Sequence, residues 1–203
     1  MASTTWVWDA SLGHSLQNTS VTMGDTSDEQ LMTSFRAGAT EAFDHLYLRH
    51  RGALFRYIQR QCNNHAVSEE LYQDVWMRVI RSRDQWQPGS RFQPWLYRIA
   101  HNRIIDHWRA GREQHEQIDD AELIQLHGPW PDAMLLIREC VERLFQLLGG
   151  LSETQRSVFL LKEEAGLTVE QIAEVTGAGF ETVKSRLRYA LQRLRTGLEG
   201  CDE

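Results

Sequence analysis

Five cations and no acid fall between Lys184 and Arg195: Lys184, Arg186, Arg188, Arg193 and Arg195. At helical spacing Glu181, Lys184, Ser185 and Arg188 share one face, where such side chains meet base edges or phosphates. A cationic helix alone is more often a solvated surface, so its surroundings decide. Thr168 with Gln171 fits a capping box that opens a short helix carrying Ile172, Ala173 and Val175 on its apolar side. Gly177 and Gly179 permit a tight turn. Val183, Leu187, Ala190, Leu191 and Leu194 then recur at i, i+3, i+4 spacing as the buried side of a second helix. Residues 167–195 therefore read as a DNA-binding helix–turn–helix.

The overall charge argues against unaided DNA binding. The 203 residues carry a net charge of −6 with a pI near 5.8, whereas such proteins usually show a basic balance. The acidity is segmental. Residues 28–111 hold twelve arginines against nine acids; residues 112–131 hold Arg112 against five acids. Something other than its own field must bring this chain to DNA.

Other chemistries are excluded by what the residues lack. No run approaches eighteen apolar residues, which argues against a membrane span. The N-terminus has neither the basic nor the continuous apolar region of a secretory signal. Cys62, Cys140 and Cys201 are few, odd in number and far apart, which fits a reducing cytosol. None of the eight histidines pairs with cysteine at ligand spacing, and His115-Glu116 lacks the second histidine of a zinc-protease motif. No metal, cofactor or catalytic nucleophile is expected.

These motifs need elements to position them. Residues 1–27 are rich in Ser, Thr, Asn and Gly, with Trp6, Trp8 and Leu12 as exceptions, and their composition predicts disorder. Patterning begins where Ser27 and Gln30 form another capping box, so Met23 is a candidate start. Phe43, Leu46, Leu54, Phe55 and Ile58 predict one long helix or two abutting ones. Leu71, Val75 and Val79 form a stripe with Tyr72, Trp76 and Ile80 beside it. A loop over 84–93 precedes a third helix, with Pro94 at its favoured first position. The fold class is all-α: two helical domains joined by a flexible acidic linker, with the helix–turn–helix at the C-terminus.

Residues 68–80 (SEELYQDVWMRVI), 91–109 (RFQPWLYRIAHNRIIDHWR) and 151–195 resemble, in the right order, the two domains of bacterial extracytoplasmic-function (ECF) sigma factors of the sigma-70 type. The resemblance implies a region-2 domain over 28–111, a linker over 112–131 and a region-4 domain over 132–198. Region 2 would read and open the promoter's minus-ten element, and region 4 would read the minus-thirty-five element. The implied partners are RNA polymerase core and promoter DNA in the cytoplasm, with an anti-sigma factor left open. Core would then deliver an acidic subunit to DNA.

Residue by residue, the resemblance assigns Glu69, Glu70, Gln73 and Asp74 to docking on the polymerase clamp. Trp95 matches a wedge against the edge of melted DNA; Asn102, Asp106 and Arg109 match a polar face near the minus-ten duplex. The loop from Trp86 through Arg91 to Phe92 lies where the family captures a flipped-out base, a task suited to aromatic and arginine side chains. Thr182, Lys184, Ser185, Arg186 and Arg188 match the upstream reader. In the linker, Glu116, Asp119, Asp120 and Glu122 would mimic nucleic-acid charge in a cationic channel. Where the family often has glycine before Thr-Val-Lys-Ser-Arg, this chain has Glu181. That acid suits a helix N-terminus and could accept from a cytosine amino group. A rival reading is a stand-alone helix–turn–helix regulator with a signal-sensing N-terminal domain, which would bind duplex DNA without core.

Overall fold

Polar caps set where the helices begin. Ser27, Ser152 and Thr168 each accept from the backbone N–H three residues on, while Gln30, Gln155 and Gln171 reach back to complete the box. The computed structural model describes residues 26–114 and 135–201, and every regular element in them is helical. The N-terminal bundle comprises α1 (Asp28–Arg36), α2 (Thr40–Cys62), α3 (His65–Arg81) and α4 (Phe92–Gln114). The C-terminal bundle comprises α5 (Leu135–Gly149), α6 (Glu153–Glu163), α7 (Val169–Thr176) and α8 (Phe180–Gly197). Of residues 1–27, expected to be disordered, 1–25 lie outside the described residues, as do the start at Met23 and the acids at 116–122, while Thr26 and Ser27 are placed, Ser27 as the cap of α1.

The expected stripes become core. Leu71, Val75 and Val79 are fully buried on α3 against Leu46, Leu54 and Ile58 of α2, which is one continuous helix. The Trp76 ring packs edge-on to Phe43 and Tyr47, with centroids 5.7 and 5.1 Å away, which fixes α3 on α2. Helix α4 starts at Phe92, two residues before the expected Pro94. Pro94 still lies within the first turn, where a missing N–H costs no intrahelical bond. The loop ahead of it contains a 3-10 turn at Arg83–Gln85. Helix α4 also runs past the expected domain edge at 111.

The two bundles are packed together. Helix α2 lies against α6, and α4 against α7. One apolar cluster runs from Tyr57, Tyr97 and Ala100 into Val158, Leu161 and Ile172. A second cluster, Leu148, Leu151, Ala190 and Leu194, joins α5 to α8.

Two of the three cysteines pair, which the sequence reading did not foresee. Cys140 on α5 and Cys201 after α8 form a disulfide with Cα atoms 5.7 Å apart. Their 61-residue separation gave no hint of it, because folding α8 back on α5 creates the proximity. Cys62 is the free thiol among the described residues; burial pushes it up to about 12, leaving it a protonated core group.

Candidate nucleic-acid interface

Gly177 ends α7 in the left-handed region, at φ 67°, which favours glycine. Gly179 caps α8 with extended backbone and needs no such freedom. This turn sets α8 across α7, with Val183 buried among Ile172 and Val175. Thr182, Lys184, Ser185 and Arg188 remain exposed on the outer side of α8. Ser185 Oγ donates to the Thr182 carbonyl at 2.9 Å, so that hydroxyl is already engaged. Arg186 is half-buried and turns to a different side.

Leu191 departs from its expected place in the core, at 42% exposed. The buried line along α8 is Val183, Ala190 and Leu194 with Leu187 partly covered. Leu191 sits about 100° around from Ala190 and joins Lys184, Arg188 and Arg195 on the outer groove.

Aromatic residues divide around the start of α4. Trp86 is 1% exposed and Phe92 is fully buried, the latter 5.3 Å from the His50 ring. Neither ring is free to stack on a base in this packed conformation. A large aromatic gains more from the core than from solvent, and the chain turns both inward, Trp86 from the loop and Phe92 from the first position of α4. Arg91 stays exposed and Trp95 half-buried; both border a cleft with Pro94, Arg98, Gln171 and Glu174.

Asn102 and Arg109 are exposed along α4, as is Asp106. They border a second cleft whose other wall is Thr176–Ala178 and Arg186. The minus-ten candidates thus face the turn of the helix–turn–helix.

The four acidic-helix candidates share one side of α3 but not one environment. Glu69, Glu70 and Gln73 are exposed. Asp74 binds Arg103 of α4 and, at 3.2 Å, Arg78. Partial burial works to raise its carboxyl, but the Arg103 hydrogen bond and the charges of Arg78 and Arg103 outweigh that and hold it below the usual carboxylate range. Asp74 therefore ties α3 to α4. Sequence reasoning also missed a shallow groove beside these acids, lined by Tyr47, Phe55, Tyr72 and Glu69.

Also missed was a polar cluster between the bundles. His101 Nδ1 lies 3.0 Å from Ser157 Oγ and 3.4 Å from Tyr57 Oη. Burial lowers the imidazole to about 4, so the ring is neutral where it shares a hydrogen bond with the serine hydroxyl. Among the described residues no three His, Cys, Asp or Glu side chains gather to hold a metal, and no helix is long and apolar enough to cross a membrane.

An all-α pair of bundles, one carrying an exposed helix–turn–helix face and the other a polar helix with an arginine-bearing loop, defines a nucleic-acid-binding regulatory protein. Residues 46–114 match the family model for Sigma-70 region 2, and residues 141–194 match Sigma-70, region 4. The RNA polymerase sigma factor CarQ of Myxococcus xanthus is 30% identical over 166 residues, covering 81% of this chain and 93% of that protein. The ECF sigma factor SigK of Mycobacterium sp. (strain KMS) is 31% identical, covering 79% and 83%. Sigma factor RpoE from Bartonella quintana, solved with the anti-sigma factor NepR, superposes with a TM-score of 0.66 at 25% identity, covering 77% of this chain and 96% of that one. The fold is shared with CnrH, solved with the cytosolic domain of CnrY, at a TM-score of 0.65 and 22% identity over 86% and 99% of the chains. The chain belongs to the sigma-70 family, in its extracytoplasmic-function group, and directs RNA polymerase to promoters.

Proposed function

We propose that this sigma factor reads its upstream promoter element through Lys184 and Arg188, with Thr182 and Ser185 beside them and Arg186 acting on phosphate. The supporting observation is the outer face of α8, where the exposed cations of a helix–turn–helix point away from the core. Residues 28–111 act at the minus-ten element through Arg91, Trp95, Asn102 and Arg109, and residues 132–198 at the minus-thirty-five element. Glu69, Glu70 and Gln73 dock the subunit on core. The work is done in the cytoplasm, and an anti-sigma partner restrains it, as NepR is bound to the RpoE relative. The acidic linker follows a cationic channel of core through Glu116, Asp119, Asp120 and Glu122.

Transcription reconstituted with purified bacterial core tests this reading. Lys184→Ala and Arg188→Ala should each weaken upstream-element binding by about 1–3 kcal/mol, and Glu70→Lys should reduce association with core. Specific duplex binding without core, unaffected by Glu70→Lys, would point instead to a stand-alone regulator.

A further inference from the structure

Glu181 is the sole acid between Phe180 and Gly197, and it stands on the face offered to DNA. Its side chain is 81% exposed, and Lys184 Nζ lies 3.2 Å from one carboxylate oxygen and 3.5 Å from the other. The same ammonium sits over the Phe180 ring, 5.3 Å from its centroid. An acceptor and a donor are therefore held side by side on the first turn of the recognition helix.

A carboxylate brought to duplex DNA is repelled by the phosphates and needs a base donor. The major groove offers two, cytosine N4 and adenine N6. Adenine sets its N7 acceptor beside the amino group, which suits an amide and repels a carboxylate. A C·G pair instead presents the cytosine N4–H donor next to guanine O6 and N7. The N4 and O6 atoms are hydrogen-bonded partners about 2.9 Å apart, close to the separation of the Glu181 oxygen and Lys184 nitrogen. The Glu181–Lys184 pair complements that edge.

We propose that Glu181 and Lys184 together read a single C·G pair in the upstream element, the carboxylate accepting from cytosine N4–H and the ammonium donating to guanine O6 or N7. This rests on the sigma-factor reading above and makes Glu181 a specificity-determining residue. The test is selection from a randomised upstream element by the full chain bound to purified core, using wild type, Glu181→Ala, Glu181→Gln and Lys184→Ala. Wild type should prefer C·G at one position by about 5- to 150-fold, the range for one well-placed base contact. Glu181→Ala and Lys184→Ala should both relax that same position, and Glu181→Gln should shift it toward A·T. Circular dichroism of each variant should match wild type, as expected for exposed side chains. If the two alanine variants altered different positions, or Glu181→Ala left every preference unchanged while selection remained strong, the pair would be refuted and the sigma reading would stand. If wild type with core selected no upstream sequence, both would fall.

Discussion

Arg56 Nε donates to Glu164 at 2.8 Å, joining the N-terminal bundle to the end of α6 across the junction between the bundles. Arg60 reaches the other carboxylate oxygen, and the Glu164 side chain is only 8% exposed. Arg98 pairs with Glu174, and Gln93 Nε2 donates to the Ala165 carbonyl at 2.6 Å nearby. These contacts hold Asn102 and Arg109 across one cleft from the helix–turn–helix turn. Promoter elements more than two helical turns apart are separated by roughly 70 Å of duplex. If Asn102 and Arg109 act at the minus-ten element as proposed, the turn of the helix–turn–helix stands across the cleft from them, and the bundles would have to part for both elements to be met.

Glu164→Lys should therefore separate the bundles. Removing one partner of a buried pair costs about 3 kcal/mol, the lower end of the range because Arg56 is half-exposed. Small-angle scattering of the free protein should show a larger radius of gyration, with helical content preserved. An unchanged radius would mean that the apolar contact between Ala100 and the α6–α7 core suffices to keep the bundles closed.

Local signals were legible and distant ones were not. Thr168 with Gln171 announced α7 because a capping box lies within four residues, and the α3 stripe announced its own buried side. The Glu164 clamp joins residues more than a hundred positions apart, and Cys140–Cys201 spans a whole bundle, so no periodicity carries either. At the site, the exposure of Lys184 and Arg188 was readable from spacing because both lie off the buried line of α8. The burial of Trp86 and Phe92 was not, since residue type cannot tell an aromatic turned inward from one turned outward.

His101 predicts a pH dependence whose sign follows from burial. Its folded value of about 4 lies below the ordinary 6.5, so the unfolded chain binds the extra proton between those limits. The stability from the neutral, buried ring is present above pH 6.5 and lost as pH falls toward 4. Between pH 7 and pH 5 the loss should be about 2 kcal/mol. Denaturant unfolding at the two pH values checks this; His101→Asn should flatten that part of the difference, and an equal slope in the variant would assign it elsewhere.

The disulfide makes the C-terminal bundle sensitive to reductant. Closing a loop of this length removes entropy from the unfolded chain worth roughly 4 kcal/mol, as an upper value. Thermal unfolding with and without dithiothreitol should show a lower midpoint on reduction, and Cys140→Ser should match the reduced protein in both conditions. Identical midpoints for oxidised and reduced wild type would leave the crosslink without a stabilising role.

Alanine at Phe92 and at Trp95 should fail for different reasons. Phe92 is fully buried, and its truncation should cost about 3–5 kcal/mol of stability through the cavity it leaves. Trp95 is half-buried at the edge of a cleft, with its ring 6.0 Å from Phe92. It can lose its outer surface with less effect on folding while forfeiting stacking worth about 1–3 kcal/mol on an unpaired base. Fluorescent reporters of minus-ten melting, read on duplex and on pre-melted promoters, separate the two. Trp95→Ala should be defective on duplex and rescued when the strands are already apart. Phe92→Ala should be equally impaired on both templates and should unfold at lower denaturant. Rescue of Phe92→Ala by the pre-melted template, with normal stability, would show that its ring leaves the core to meet DNA.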